Sequence, residues 1–270
     1  MHDFREYEIF DAHAHIFPEK IATKASQAIG DFYDMQMRYP GDSERLIESG
    51  RKINIKKYLV CSTATIPEQT EKINEFIFEE CENHPEFIGF GTLHPDYDNI
   101  EDEVERIIAN GLHGIKLHPD FQKFNIDDKK AMRIYDAIAG RLPVLIHMGD
   151  DRYDYSRPYR LANVMKQIPQ LNVLAAHFGG YRRWDEAVKC LLDIDNVYFD
   201  TCSTLGFLEI EKSKELIKYF DKDKLMFGTD FPMWDHVEEL NRFFALELSE
   251  EDNRKILGEN FKRILKIKMR

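Results

Sequence analysis

The feature that most constrains this chain is an alternation of two patterns. Short apolar runs and longer stretches of helical period succeed one another about eight times along 270 residues. The runs lie at Tyr7 to Ala12, Lys57 to Cys61, Phe87 to Thr92, His113 to Leu117, Pro143 to His147, Leu171 to Ala176, Asn196 to Phe199 and Lys224 to Gly228. Val144-Leu145-Ile146 and Val173-Leu174-Ala175 are continuously apolar, as strands covered on both faces are. Between the runs, Glu68 to Asn83, Ile100 to Asn110 and Asp127 to Gly140 carry apolar residues at helical spacing, with Asp127 as a candidate N-cap and Gly111 and Gly140 as stops. Weaker helical patterns follow at Pro158 to Ile168, Arg183 to Leu192, Leu208 to Phe220 and Asp235 to Leu246, and Glu250 to Lys266 is a final periodic helix. Such alternation implies a parallel sheet. Eight units predict closure into a (β/α)8 barrel, which commonly occupies roughly 250 residues, with an open doubly wound sheet as the alternative. No linker, low-complexity stretch or internal repeat divides residues 1–270, so one domain is expected.

Residues 18–54 break the rhythm. The segment is too long for a simple strand-to-helix connection and is rich in large side chains: Phe32, Tyr33, Met35, Met37 and Tyr39. It reads as an insertion on the barrel rim, either shaping the active site or adding a helical layer.

A net charge of −12 argues against a non-specific nucleic-acid binder, which normally shows a basic face. No apolar run approaches the ~20 residues of a membrane-spanning helix. Met1 to Glu8 is charged and leads directly into a strand, so it does not read as a signal peptide. Cys61, Cys81, Cys190 and Cys202 are far apart and form no Cys-x-x-Cys pair, the pattern of buried free thiols in a reducing compartment, with the cytoplasm as the default. The expected partner is a small-molecule substrate, not nucleic acid or membrane, and a homodimer is compatible with the sequence.

The chemistry concentrates at strand ends. In Asp11-Ala12-His13-Ala14-His15, alternate residues point to one face, so two imidazoles can chelate one ion. His147 closes the fifth run, His177 follows the sixth, and Asp230 follows the eighth in Gly228-Thr229-Asp230-Phe231-Pro232. The C-terminal ends of barrel strands converge on one mouth, so four histidines and a carboxylate far apart in sequence can meet there.

The motifs Asp11 to His15, Gly114-Ile115-Lys116-Leu117-His118-Pro119, His147, Ala176-His177-Phe178-Gly179-Gly180 and Gly228 to Pro232, with the closing Ile256 to Leu265, resemble the amidohydrolase superfamily over nearly the whole chain. More narrowly, they are similar to its amidohydrolase-related branch, which includes aminocarboxymuconate-semialdehyde decarboxylases. The resemblance implies one divalent metal, zinc by default with manganese, iron or cobalt also suitable, held by His13, His15, His147 and Asp230. It makes His177 the acid/base, with Asp230 as ligand, base or both. Lys116 corresponds to a position that is carboxylated and bridges two metals in binuclear members of the superfamily. A substrate-carboxylate contact, or an ion pair with Asp11 or Asp230, is its plainer reading. His118 shares the face of Lys116 and could line the pocket. After His147, Arg152 and Arg157 are placed to hold an anionic substrate group. The leading expectation is hydrolysis of a small amide, ester or lactone by metal-activated water. The alternative is non-oxidative decarboxylation of a small unsaturated or aromatic acid.

Overall fold

A computed structural model describes residues 4–267; the first three residues, which belong to the N-terminal stretch considered above as a leader, lie outside the described residues. Eight parallel strands pair in chain order: β1 (Ile9–His15), β2 (Ile55–Cys61), β3 (Phe87–Thr92), β4 (Gly114–Leu117), β5 (Val144–Ile146), β6 (Val173–Ala175), β7 (Val197–Asp200) and β8 (Leu225–Met226). Backbone hydrogen bonds close the ring. The Ala12 N–H donates to the Phe227 carbonyl at 2.8 Å, the Asp230 N–H to the His13 carbonyl at 2.8 Å, and the His15 N–H to the Phe231 carbonyl at 2.7 Å. The expected (β/α)8 barrel is therefore the fold.

The barrel interior is packed rather than open, as is usual for this architecture. Phe10, Leu59, Phe90, Leu145, Leu174 and Met226 fill it, and Phe261 from the C-terminal helix stacks on Phe10 with ring centroids 5.1 Å apart. The outward strand faces, among them Ile115, Val144, Ile146 and Val173, bury against the surrounding helices.

Strand limits differ from expectation in an informative way. The first strand runs to His15 rather than stopping at Ala12, and its pairing with β2 shifts register between Asp11 and Ala14. Such an irregularity re-aims side chains, here those of His13 and His15. Strands β5, β6 and β8 are shorter than their apolar runs, because the chain leaves the ladder just before His147, His177 and Asp230.

The segment after β1 contains helices α1 (Glu19–Tyr33) and α2 (Ser43–Arg51). The described outer layer continues with α3 (Thr70–Asn83), α4 (Ile100–Ala109), a one-turn α5 (Pro119–Gln122), α6 (Lys129–Ile138), α7 (Pro158–Gln167), α8 (Trp184–Cys190), α9 (Ile210–Tyr219) and α10 (His236–Phe244). The final helix runs from Glu250 to Ile264 through a π-helical turn at Lys255–Glu259.

Asp11 is fully buried and latches the seam. Its carboxylate accepts from the Thr229 N–H at 3.0 Å and the Thr229 hydroxyl at 2.6 Å, and lies 3.0 Å from His236 Nε2. It forms no ion pair with Lys116. Asp11→Ala would strand those buried donors and is expected to cost about 3 kcal/mol in denaturant unfolding; an unchanged midpoint would show that the latch does not hold the seam.

Candidate functional site

Three atoms converge at the mouth. His13 Nε2 and His15 Nε2 are 3.2 Å apart, and Asp230 Oδ1 lies 3.7 Å from the first and 3.3 Å from the second. A divalent ion with bonds of about 2.0–2.2 Å keeps its donors roughly 3.0–3.6 Å apart, so the tripod has the spacing of a coordination shell. The orientation of His13 also fits. Its Nδ1–H donates to Asp200 Oδ2 at 2.9 Å, which leaves the Nε2 lone pair facing the tripod. Burial, and then the Lys116 charge, lower the His13 pKa to about 4, so the ring is neutral and able to ligate. Burial alone would lower His15 as well, but the neighbouring Cys61 and Asp230 outweigh it and raise His15 to about 9, so this ring releases a proton when it ligates. Asp230 is held well below the ordinary carboxylate range: burial opposes this, and His13 and His15 overcome it.

Lys116 is fully buried, and its Nζ donates to the His13 Nε2 lone pair at 2.9 Å, a hydrogen bond that a metal held by the tripod would replace. It places a cation at the edge of the tripod.

His147 stands apart from the tripod, in a chain of neutral rings. Their partners fix the tautomers. The Phe121 N–H donates to His118 Nδ1 at 3.3 Å, so His118 Nε2–H donates to the Tyr33 oxygen at 3.1 Å. The Tyr33 hydroxyl in turn donates to His147 Nε2 at 3.4 Å, and His147 Nδ1–H donates to His177 Nε2 at 3.0 Å. His177 Nδ1–H donates to the Cys202 carbonyl at 3.2 Å. Burial is the main force lowering the pKa of His118, His147 and His177, which keeps the chain uncharged. His177 also stacks on His13, with ring centroids 5.3 Å apart, and so joins the chain to the tripod.

His118, Asp120 and His147 could be taken for a second cation cluster. However, the two imidazoles stack face to face at 4.0 Å and 9°, so their in-plane lone pairs run side by side instead of meeting at one point. Cys61 stands on the far side of His15, its Sγ 3.7 Å from Nδ1, whereas Cys202 does not add to the site. Cys202 lies 3.3 Å from both His13 Nδ1 and His177 Nδ1, and burial raises its pKa well above normal, keeping it protonated.

The backbone supports the same location. His177 and Asp230 both adopt left-handed conformations, with φ of 61° and 56°. Non-glycine residues pay for that geometry, and such outliers cluster at functional positions.

Sequence reasoning missed several participants: Asp200, Tyr33, Asp120 and Ser203, whose hydroxyl donates to Asp230 Oδ2 at 2.5 Å. Asp200 had a usable signal, because like the recognised residues it ends a strand. The two arginines expected to hold substrate are occupied elsewhere. Arg152 binds Asp150 through Nε at 3.0 Å and a terminal nitrogen at 2.7 Å. Arg157 binds Glu186 through Nε at 2.8 Å.

The chain matches the amidohydrolase family model over residues 10–267. No curated protein matches it. Among solved structures, it resembles 5-carboxyvanillate decarboxylase from Sphingomonas paucimobilis (TM-score 0.75, 15% identity, covering 97% of this chain and 99% of that one). It also resembles a dihydroxybenzoic acid decarboxylase from a Polaromonas species, solved with manganese and the inhibitor 2-nitroresorcinol (TM-score 0.74, 15% identity, 96% and 97% covered). A third is a probable 2-pyrone-4,6-dicarboxylic acid hydrolase from Acinetobacter baumannii with citric acid bound (TM-score 0.73, 14% identity, 96% and 100% covered). These likenesses correct the leading expectation of hydrolysis, since the similar structures are chiefly decarboxylases. The physical reason for the error is that both reactions draw on the same histidines and carboxylate, so the motifs could not separate them.

Asp200→Asn removes the carboxylate that orients His13. It is expected to weaken divalent-cation affinity about 10–100-fold in a metal titration while leaving the circular dichroism spectrum intact; unchanged affinity would mean that Asp200 does not orient the ligand.

Proposed function

The chain belongs to the amidohydrolase family, and we propose that it removes carbon dioxide non-oxidatively from a small unsaturated or aromatic carboxylic acid. The observation that carries this reading is the Lys116 ammonium. It is a wholly buried cation beside the tripod that would attract a carboxylate head group drawn in by the metal, and the arginines first considered for that task are paired with their own acids. The similar structures named as decarboxylases support the same choice.

His13, His15 and Asp230 would hold one divalent ion. Two nitrogen donors and one oxygen donor suit zinc or manganese, among other first-row ions. When bound, the ion supplies positive charge that fixes an anionic substrate and stabilises developing negative charge.

The chain's own residues do the rest. Lys116 binds and orients the carboxylate. The carbon–carbon bond to that carboxylate breaks, its electron pair stays on the substrate carbon, and a proton must arrive there. We assign that delivery to His177. His177 takes up one proton from solvent before each turnover and passes it to that carbon as carbon dioxide leaves, which returns the ring to neutral, while His147 holds it in place by its hydrogen bond. Burial of His118, His147 and His177 limits competing water.

The test is carbon dioxide release from a panel of hydroxybenzoates and related unsaturated acids by metal-loaded protein. His177→Asn is expected to lower turnover about 10²–10⁴-fold with metal content retained. Release of alcohol or amine from esters, lactones or amides, without carbon dioxide from any acid, would sink the proposal.

A further inference from the structure

Helix α1 uses its faces unusually. The residues it buries are small: Ala22, Ser26 and Gly30. Its larger apolar residues, Ile21, Ile29 and Phe32 with Ala25 and Ala28 between them, recur at helical spacing on an adjoining face. A surface helix normally turns such a stripe into the core. Here it lines a cavity of about 700 Å³, and Ile21 is 50% exposed. Ile73 and Phe76 of α3 form the facing wall, and His15 of the tripod lines the same space.

Two polar features indicate what the cavity takes. Asp120 lines it and is 3% exposed; the Ser156 hydroxyl stands beside its carboxylate, but neither oxygen has a donor in good hydrogen-bonding geometry among the described residues. His147 Nε2 stands 3.7 Å from it, beyond hydrogen-bond reach. A buried acceptor without a partner is costly, which points to a donor brought by a ligand. Lys24, Lys72 and Lys123 also line the cavity, and none forms an ion pair among the described residues of this acidic chain. They favour an anionic occupant.

We propose that this cleft holds the apolar arm of the substrate, an acid larger than a single ring whose arm carries a hydrogen-bond donor that meets Asp120. The assignment rests on the reading of the tripod and Lys116 as the acid-binding end. The size is consistent with it. One benzene ring fits in about 150 Å³, whereas cavities of about 300–1,000 Å³ take much larger ligands.

The test is calorimetric binding to the metal-loaded full chain, with benzoate, biphenyl-4-carboxylate and biphenyl-4-carboxylates hydroxylated on the distal ring as probes. Biphenyl-4-carboxylate is expected to bind about tenfold tighter than benzoate, and Ala28→Trp, which fills the cleft from an exposed helix position, is expected to bring that ratio close to unity. The best hydroxylated isomer is expected to gain about fivefold more, and Asp120→Leu to abolish that gain without lowering the melting temperature. Equal affinities for benzoate and the biphenyl in the unaltered protein, or either gain surviving its substitution, would overturn the proposal. Binding requires no turnover, so failure to release carbon dioxide would reject the reaction and leave this result standing, and the reverse also holds.

Discussion

Where the two ends of the barrel meet, the Asp230 N–H donates to the His13 carbonyl while the side chains of the same two residues turn toward each other across 3.7 Å. The rest of the site depends on this seam. One of the backbone contacts that close the sheet also sets the distance between the first and last members of the tripod, so closure and site geometry cannot vary independently. Asp11 holds the seam from below through Thr229, and the left-handed backbone at Asp230 is the local strain that the closed ring sustains. The pairing irregularity near His13 belongs to the same arrangement, since it turns both imidazoles of β1 to the mouth.

Burial then decides protonation. The His13 ring loses its proton because it is wholly enclosed with the Lys116 cation beside it, and Asp200 fixes which nitrogen keeps the remaining hydrogen. Enclosure likewise makes His118, His147 and His177 neutral, and neutrality allows each to accept at one nitrogen and donate at the other. The hydrogen-bonded chain and the tripod meet where His177 stacks on His13, and at His15 and Asp230 neighbouring groups outweigh burial.

Much of this was legible in the sequence because it is local. Strand periodicity gave the barrel, and Asp11 to His15 announced itself by two-residue spacing. His177 and Asp230 showed themselves by ending apolar runs. What escaped depends on partners remote in the chain. Tyr33 meets a ring 85 residues away, a distance at which no local pattern survives, and Asp200, although it ends a strand, finds its partner His13 187 positions away. His147, expected among the metal ligands, hydrogen-bonds Tyr33 of α1 and His177, and those partners lie 114 and 30 residues away. The pairing of Arg152 was visible locally, since Asp150 lies two residues before it. The reaction type was the least legible property, because one donor set serves more than one chemistry.

The central claim is that His13, His15 and Asp230 form a cation-binding tripod, and elemental analysis of protein purified without chelators and resupplied with zinc or manganese tests it most directly. The account predicts about one equivalent of divalent metal per chain, largely lost in Asp230→Ala. No bound metal under any supply, or full metal content in that variant, would contradict it.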